Sequence, residues 1–428
     1  MIVARCFHAL KGTIIKSLQT PSESLKKIIS EKIVTEGPIS FADYMDLCLS
    51  HPDFGYYNKG KIFGKEGDFI TSPEISQLFG ESLAVWIATL YNKLEAPSKW
   101  HIVELGPGKG TLAVDILRTL KSLNMAVGLS YHFIDLSSHL KKIQQNSILT
   151  SCKGMLQHEK YKNIERYFDK NTSFYWYSTL GEMNFIYSQE YKPQPVIVLG
   201  HEIFDALPIH IFEFSTKLGW CERMVDLNSY DQFELVLSKG RNKNVDSVLK
   251  PGKLTKTGLI SDLKEGDRIE LSPASLKLFA DICDIVKQGQ SASLMIDYGD
   301  NRAFGNSVRG IKDHKKLEME EWLQLPGEVD ISAYVDFAAL SAIVTKYPEL
   351  ECGDLLPQGF FLETMGISTR IEILSKKHPA KAQSLQKDYE RLASPDQMGE
   401  IYKCFYTGAK SLNEVYPFTS SIIAEKKL

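Results

Sequence analysis

Apolar and polar positions along this chain change period in a way that marks successive elements. After Gly37-Pro38, Ser40 and Asp43 are spaced as a capping box, and Phe41, Tyr44, Met45 and Cys48 recur at helical spacing, which predicts a short amphipathic helix. A turn-rich aromatic stretch follows, His51 to Tyr57, and then Gly-Asp-Phe-Ile-Thr-Ser-Pro-Glu from Gly67 to Glu74. Ser72 can cap and Pro73 suits a first helical position, so a helix is predicted with Ile75, Leu78, Phe79, Leu83, Trp86 and Leu90 along one face. From Trp100 the pattern becomes a short apolar strand, His101 to Leu105, then a glycine turn, then a helix with Leu112, Ala113, Ile116, Leu117 and Leu120 inward. Tyr131 to Ile134 reads as the next strand, ending in Asp135, and a helix runs through Leu140 and Ile143. Strand, helix, strand predicts a parallel sheet with right-handed crossovers, extended by apolar runs at Phe174 to Tyr177, Val196 to Leu199 and Ser293 to Ile296. Residues 211–272 alternate like hairpins and are richer in Lys, Gly and Asn, as an insertion between sheet strands would be.

Composition narrows the classes. With 428 residues, 43% hydrophobic and 24% charged, the chain has ordinary globular composition, which excludes disorder and a disulfide-stapled miniprotein. Basic residues number 50 and acidic 53, a net charge of −3 without a basic face, which argues against nucleic acid as a partner. Seven cysteines form no C-x-x-C pair and fit neither a zinc site nor a disulfide framework, so they read as reduced thiols. The one N-x-S sequon, Asn171 to Ser173, follows no secretory leader, and no apolar run approaches the roughly 18 residues of a membrane span. Residues 1–22 carry Arg5, Lys11 and Lys16 and no acid before Glu23, the composition of a mitochondrial transit peptide. The last three residues, Lys426-Lys427-Leu428, miss the peroxisomal signal.

Glu104-Leu-Gly106-Pro-Gly108-Lys-Gly110-Thr111 places an acid at a strand end and glycines at alternate positions before a helix. Such glycines allow positive φ and close backbone approach, and the helix start offers unpaired N–H groups. A dinucleotide fingerprint needs its third glycine where Thr111 stands, and no glycine here satisfies a P-loop. The pattern E-x-G-x-G-x-G with an acid closing the next strand resembles the S-adenosylmethionine site of Rossmann-like methyltransferases. That cofactor has no pyrophosphate and carries cationic groups, so an acid at the strand end is tolerable. By this resemblance Glu104 lies beside the methionine end, Gly106, Gly108 and Gly110 accommodate the ligand, and Asp135 accepts both ribose hydroxyls. The alternative is a glycine turn that only packs helix on strand.

Val196 to Pro208 places two carboxylates, Glu202 and Asp205, three residues apart just beyond a buried strand. Ligands of doubly wound sheets bind outside the carboxyl ends of strands, so these acids should face the same crevice as the glycine turn. The zinc pattern H-E-x-x-H requires histidine where Asp205 stands, so no metal is expected. Carboxylates suit a guanidinium, whose planar forked donors they clamp so that one nitrogen is held toward a methyl donor. The competing reading has Glu202 capping a helix and Asp205 in a surface pair. Asp297-Tyr298-Gly299 closes a later strand, and Asp313-His314-Lys315 lies in the region beyond; either could line a pocket. Gln358 to Glu363 and Met365-Gly366-Ile367 read as core packing.

Taken together, six ordered motifs resemble the MidA-type mitochondrial protein-arginine methyltransferases of complex I assembly. They are Gly37 to Met45, Gly67 to Glu74, Glu104 to Thr111, Glu202 to Pro208, Ile296 to Gly299 and Pro326 to Phe337, and the resemblance runs to about residue 405. One departure lies after Gly299, where Arg309 and His314 are kept while their neighbours differ from the family pattern. The resemblance implies an α/β fold, a Rossmann-like methyltransferase sheet with an N-terminal helical lead and an inserted or appended smaller α+β domain. On that plan residues 1–22 are the transit peptide, 23–95 the lead covering the cofactor site, 96–210 the Rossmann-like core, 211–272 the β-rich insertion, and 273–428 the completion of the sheet with a C-terminal mixed section. It also implies S-adenosyl-L-methionine as cofactor and, in the mitochondrial matrix, type II symmetric dimethylation of an arginine in a core, ubiquinone-module subunit of NADH:ubiquinone oxidoreductase. A homodimer stays open. Two other classes compete, a noncatalytic assembly chaperone that retains the cofactor fold and a small-molecule methyltransferase.

Overall fold

Six-residue runs in which every side chain is apolar or sealed from water predict strands buried on both faces, and Trp100–Leu105 is buried throughout. The computed structural model describes residues 21–58, 71–152, 156–161, 164–184, 194–250 and 263–419. The transit segment lies outside these residues except for Pro21 and Ser22, as do Gly67 to Ile70 of the second motif. The chain forms two compact units, each assembled from three segments: Phe63–Asp205, Ala274–Ala303 and Tyr334–Leu428 in the larger, Met1–Ile62, Ala206–Pro273 and Phe304–Ala333 in the smaller.

The larger unit holds an 11-stranded mixed sheet. Its strands are β1 (Trp100–Leu105), β2 (Leu129–Ile134), β3 (Gln157–Tyr161), β4 (Ile164–Phe168), β5 (Thr172–Tyr177), β6 (Val196–His201), β7 (Ala292–Asp300), β8 (Val335–Asp336), β9 (Leu350–Cys352), β10 (Leu356–Pro357) and β11 (Tyr402–Ala409). They lie in the order β9-β11-β7-β6-β1-β2-β5-β4-β3, with β8 on β7 and β10 on β11. The five central strands, β7, β6, β1, β2 and β5, run parallel. From β1 the chain builds through β2 and β5 on one side and returns to β6 and β7 on the other. The order therefore reverses between β1 and β6, where ligands of such sheets bind.

Helices cover this sheet through the faces their apolar spacing predicts. The helix expected from Ser72 is two: α1 (Ser72–Ile75) and α2 (Gln77–Lys93), separated at Ser76, whose backbone is extended at φ −157° and ψ 143°. Ser72 is thus the first helical residue and not its cap. Glu74, in the short helix before the break, accepts a 2.5 Å hydrogen bond from the Thr111 hydroxyl. In α2, Leu78, Phe79, Leu83, Trp86 and Leu90 are all buried. The helix α3 (Thr111–Ser122) buries Leu112, Ala113, Ile116, Leu117 and Leu120, each contributing on the order of 1–3 kcal/mol by removal from water. A fourth helix, α4 (Ser138–Ser151), is capped by Ser137, whose hydroxyl accepts the Leu140 N–H.

In the smaller unit, the alternating segment forms antiparallel strands His210–Ser215, Gly219–Leu227, Phe233–Leu237 and Arg268–Leu271, with Ile39–Ser40 completing five. The predicted helix after Ser40 spans Phe41–Ser50, and the Ser40 hydroxyl accepts the Asp43 N–H at 3.0 Å. Asp313 and His314 form the exposed two-residue turn between strands Arg309–Lys312 and Lys315–Leu317. Both have positive φ, 50° and 60°, as a hairpin turn of that length prefers. Arg309 donates from Nε to the Ser332 hydroxyl at 3.3 Å in the same small sheet. No described helix is long and apolar enough to cross a membrane.

Candidate active site

The glycine turn leaves β1 at the strand-order reversal. Gly106, Gly108 and Gly110 all have positive φ, 59°, 53° and 81°, and Gly110 is the residue that starts α3. A side chain at Gly108 would project into open space, whereas one at Gly106 would meet Ile203 Cδ1 at 2.8 Å. Gly106 therefore packs against the loop that carries Glu202 and Asp205, and Gly108 faces the room where a ligand can approach the backbone.

Glu104 is 3% exposed and accepts a 2.6 Å hydrogen bond from the Tyr131 hydroxyl on the neighbouring strand. Burial pushes its carboxyl up to about 7, against the pull of the tyrosine. Such a group gains by receiving a cation. Asp135 follows β2 and is held on both oxygens: Oδ1 accepts the Ser137 N–H at 2.8 Å and Oδ2 the Gln144 side-chain N–H at 2.7 Å. Each carboxylate oxygen has a second lone pair, so a vicinal diol can still be received. Gln144 Nε2 also donates to the Gly108 carbonyl at 2.9 Å, and the Ser147 hydroxyl donates to the Lys109 carbonyl at 3.0 Å. One face of α4 thus ties the glycine turn to Asp135.

These residues fit S-adenosyl-L-methionine. Three positive-φ glycines give a backbone cradle, a buried acid answers a cationic amino acid end, and a rigid carboxylate stands on the next strand. A diphosphate would find Glu104 repulsive.

Glu202 and Asp205 lie just past β6, next to β1. Glu202 has φ 50°, a left-handed conformation unusual for glutamate, and its N–H donates to Ile296 O at 2.9 Å. His201 Nε2 stands 3.5 Å from Glu202 Oε1, but burial lowers the histidine to about 3, so this contact joins a carboxylate to a neutral ring. Rings surround the loop: His201 packs edge-on to Phe79 with centroids 5.0 Å apart, and Tyr298 packs edge-on to Tyr402 and Tyr334 at 5.4 and 5.6 Å. The Tyr298 hydroxyl donates to Asp205 Oδ2. Among the described residues no cluster of three or more His, Cys, Asp or Glu side chains is arranged to hold a metal ion.

The glycine turn, Glu104, Asp135, Glu202 and Asp205 thus all lie at the carboxyl ends of adjacent parallel strands, while His314 and Arg309 belong to the smaller unit. Tyr131 and Gln144, which orient Glu104, the turn and Asp135, lie in no motif, and Ile203, inside the Glu202 to Pro208 motif, has nothing in the sequence to mark it as the residue that packs on the turn. Only the βαβ register, which sets Tyr131 opposite Ile102 two residues from Glu104, could have pointed to the first of them.

A family model for S-adenosyl-L-methionine-dependent methyltransferases matches residues 82–353. The chain is 32% identical over 393 residues to the mitochondrial protein arginine methyltransferase NDUFAF7 of Danio rerio, covering 90% of this chain and 86% of that one. It is 31% identical over 410 residues to the Homo sapiens protein of the same name, covering 92% and 86%. A Burkholderia thailandensis protein solved with S-adenosyl-homocysteine bound matches with a TM-score of 0.74 at 23% identity, covering 92% of this chain and 94% of that one, a likeness of fold.

Proposed function

Because the chain belongs to the family of S-adenosyl-L-methionine-dependent methyltransferases that includes the mitochondrial protein arginine methyltransferases, we propose that it methylates arginine in a protein acceptor. Its cofactor is S-adenosyl-L-methionine, and like its relatives it is a mitochondrial protein. The observation that carries the reading is the placement of Glu202 and Asp205 at the end of β6, with the intervening Ile203 packed on Gly106 of the glycine turn.

When bound, S-adenosyl-L-methionine supplies an electrophilic methyl group on a sulfonium. In this reading Gly106, Gly108 and Gly110 bring backbone close to it, Glu104 faces its amino group and Asp135 its ribose hydroxyls. Glu202 and Asp205 accept guanidinium N–H groups through charge-assisted bonds and leave one nitrogen without a hydrogen bond, aimed toward the cofactor side. The same two acids can take up the proton that a methylated guanidinium releases. The surrounding rings, His201, Tyr298 and Tyr402, exclude water and suit a flat, weakly hydrated cation better than an ammonium.

The motif resemblance supports a finer assignment, symmetric dimethylation of an arginine in a core subunit of NADH:ubiquinone oxidoreductase, in the matrix. The test is incubation with methyl-labelled S-adenosyl-L-methionine and an extract of mitochondria that lack this protein, followed by acid hydrolysis and mass spectrometry. Labelled symmetric dimethylarginine in such a subunit is expected. Cofactor binding without labelled arginine would overturn the arginine reading in favour of a noncatalytic or small-molecule role, and an asymmetric product would overturn the finer one.

A further inference from the structure

The loop that carries the two acids is itself built on a third. Asp297 follows Ile296, which registers with His201 across the parallel pair of β7 and β6, so it stands beside the turn at 202–205. Its Oδ2 accepts the N–H groups of Ile203, Phe204 and Asp205 at 3.1, 2.9 and 3.3 Å, and its Oδ1 accepts the N–H of Tyr298 at 2.9 Å. Three consecutive N–H groups converging on one oxygen make an anion-binding nest, here filled by a side chain with no exposed surface. The next residue, Tyr298, sends its hydroxyl to the Asp205 carboxylate.

This is an expensive way to hold a turn. Burial, then the nearby carboxylates of Asp205 and Glu202, push Asp297 well above the usual carboxylate range, while the N–H groups of Phe204 and Tyr298 pull the other way. An asparagine of the same shape would avoid the charge but has one acceptor oxygen: turned to the three loop N–H groups it leaves its own N–H facing that of Tyr298, and turned the other way it leaves all three without an acceptor. What the carboxylate secures is the backbone of the loop, including the left-handed Glu202, and it does so without a hydrogen bond to the glycine turn, Asp135 or Gln144.

We propose that Asp297 and Tyr298 are positioning residues for arginine methylation: Asp297 fixes the backbone that presents Glu202 and Asp205, and Tyr298 fixes the Asp205 carboxylate, so that the two acids meet one guanidinium in a single geometry. The proposal rests on the reading that Glu202 and Asp205 hold the arginine.

The test compares wild type, Asp297→Asn and Tyr298→Phe in the full chain. Calorimetry with S-adenosyl-homocysteine gives affinity and stoichiometry, and the labelled-methyl assay on mitochondrial extract gives the rate of transfer to arginine. Tyr298→Phe, which removes only a hydroxyl bonded to Asp205, should bind S-adenosyl-homocysteine at full stoichiometry and within about threefold of wild-type affinity. Asp297→Asn should also bind at full stoichiometry, with its affinity shifted through Ile203, which packs on Gly106. Their transfer rates should fall about tenfold or more, the cost of a displaced acceptor. A purely structural role would lower stoichiometry and transfer together, and that result would overturn the proposal. So would Tyr298→Phe transferring at the wild-type rate. If Asp297→Asn gives no folded protein, Tyr298→Phe alone decides, because it leaves every bond of Asp297 in place. Failure of the wild type to label arginine would instead sink the underlying function, and the proposal with it.

Discussion

Gly106 and Gly108 share one turn but are constrained by different things. Both have positive φ, which costs a side-chain-bearing residue roughly 1–2 kcal/mol. At Gly108 that is the whole cost, because nothing stands within 4 Å of an added Cβ; at Gly106 the added atom also collides with Ile203. Gly108→Val should therefore abolish heat with S-adenosyl-homocysteine, and Gly106→Val should do the same while also pushing aside the flexible end of Ile203; thermal unfolding should show a similar loss in both, that of a branched residue at positive φ. Glu104 gives a second expectation. Its carboxyl, raised by burial to about 7, is largely protonated in mildly acid solution, and a ligand ammonium favours the ionised form. Affinity for S-adenosyl-homocysteine should climb as pH rises through about 7, and the climb should vanish in Glu104→Gln. For the free protein the sign is opposite: stability from the neutral carboxyl is full below its unfolded value of 4.5 and is lost as pH rises through about 7, because folding holds a proton that the unfolded chain releases. Glu104 and the glycines were legible in the sequence because they sit within seven residues of one another. Asp297 was visible only as the end of a strand, since the N–H groups it receives lie 92 to 94 residues away.

Among the elements, those with strong apolar runs were readable and those held by polar contacts were not. β1, β2, β5 and β6 each contain the run expected of them, extended by one or two residues at one end, and β7 contains its run with one more residue before it and four after it. The hairpin of β3 and β4 was passed over because Gln-His-Glu-Lys-Tyr and Ile-Glu-Arg-Tyr-Phe give little apolar signal. Ser76 likewise offered no sign that the helix would break there. Between the central strands runs a buried polar chain with no motif: His101 Nδ1 and His132 Nε2 are 2.9 Å apart, His101 Nε2 meets Gln194 Oε1 at 2.8 Å, and His132 Nδ1 meets the Tyr177 hydroxyl at 3.2 Å. Burial lowers His101 to about 4, and burial with the His101 neighbour lowers His132 well below its ordinary value. The unfolded chain therefore takes up protons first, and stability present above pH 6.5 is lost as pH falls toward 4. His132→Phe should cost about 1–3 kcal/mol at pH 7 through the orphaned partners. In urea unfolding the gap to wild type should narrow at pH 5, because one fewer buried imidazole resists charging.

At the scale of the whole molecule, neither unit is a continuous stretch of chain. The sheet of the larger unit depends on its last strand: β11 pairs with β7 along seven residues and brings Cys404, Phe405 and Tyr406 into the core. A chain ended after Glu400 would bare a long edge on β7 and lose that packing. It should bind no S-adenosyl-homocysteine in calorimetry and elute as an expanded or aggregated species. The three-segment arrangement also bears on the order in which the protein is made. A ribosome releases the glycine turn, Asp135 and α4 early, then the loop with both acids, and only after the whole intervening strand-rich segment does it release Asp297. A nascent or half-imported chain thus carries every residue of its nucleoside cradle before the residue that sets its acids exists, and competence to modify another protein arrives late, with the second half of the polypeptide.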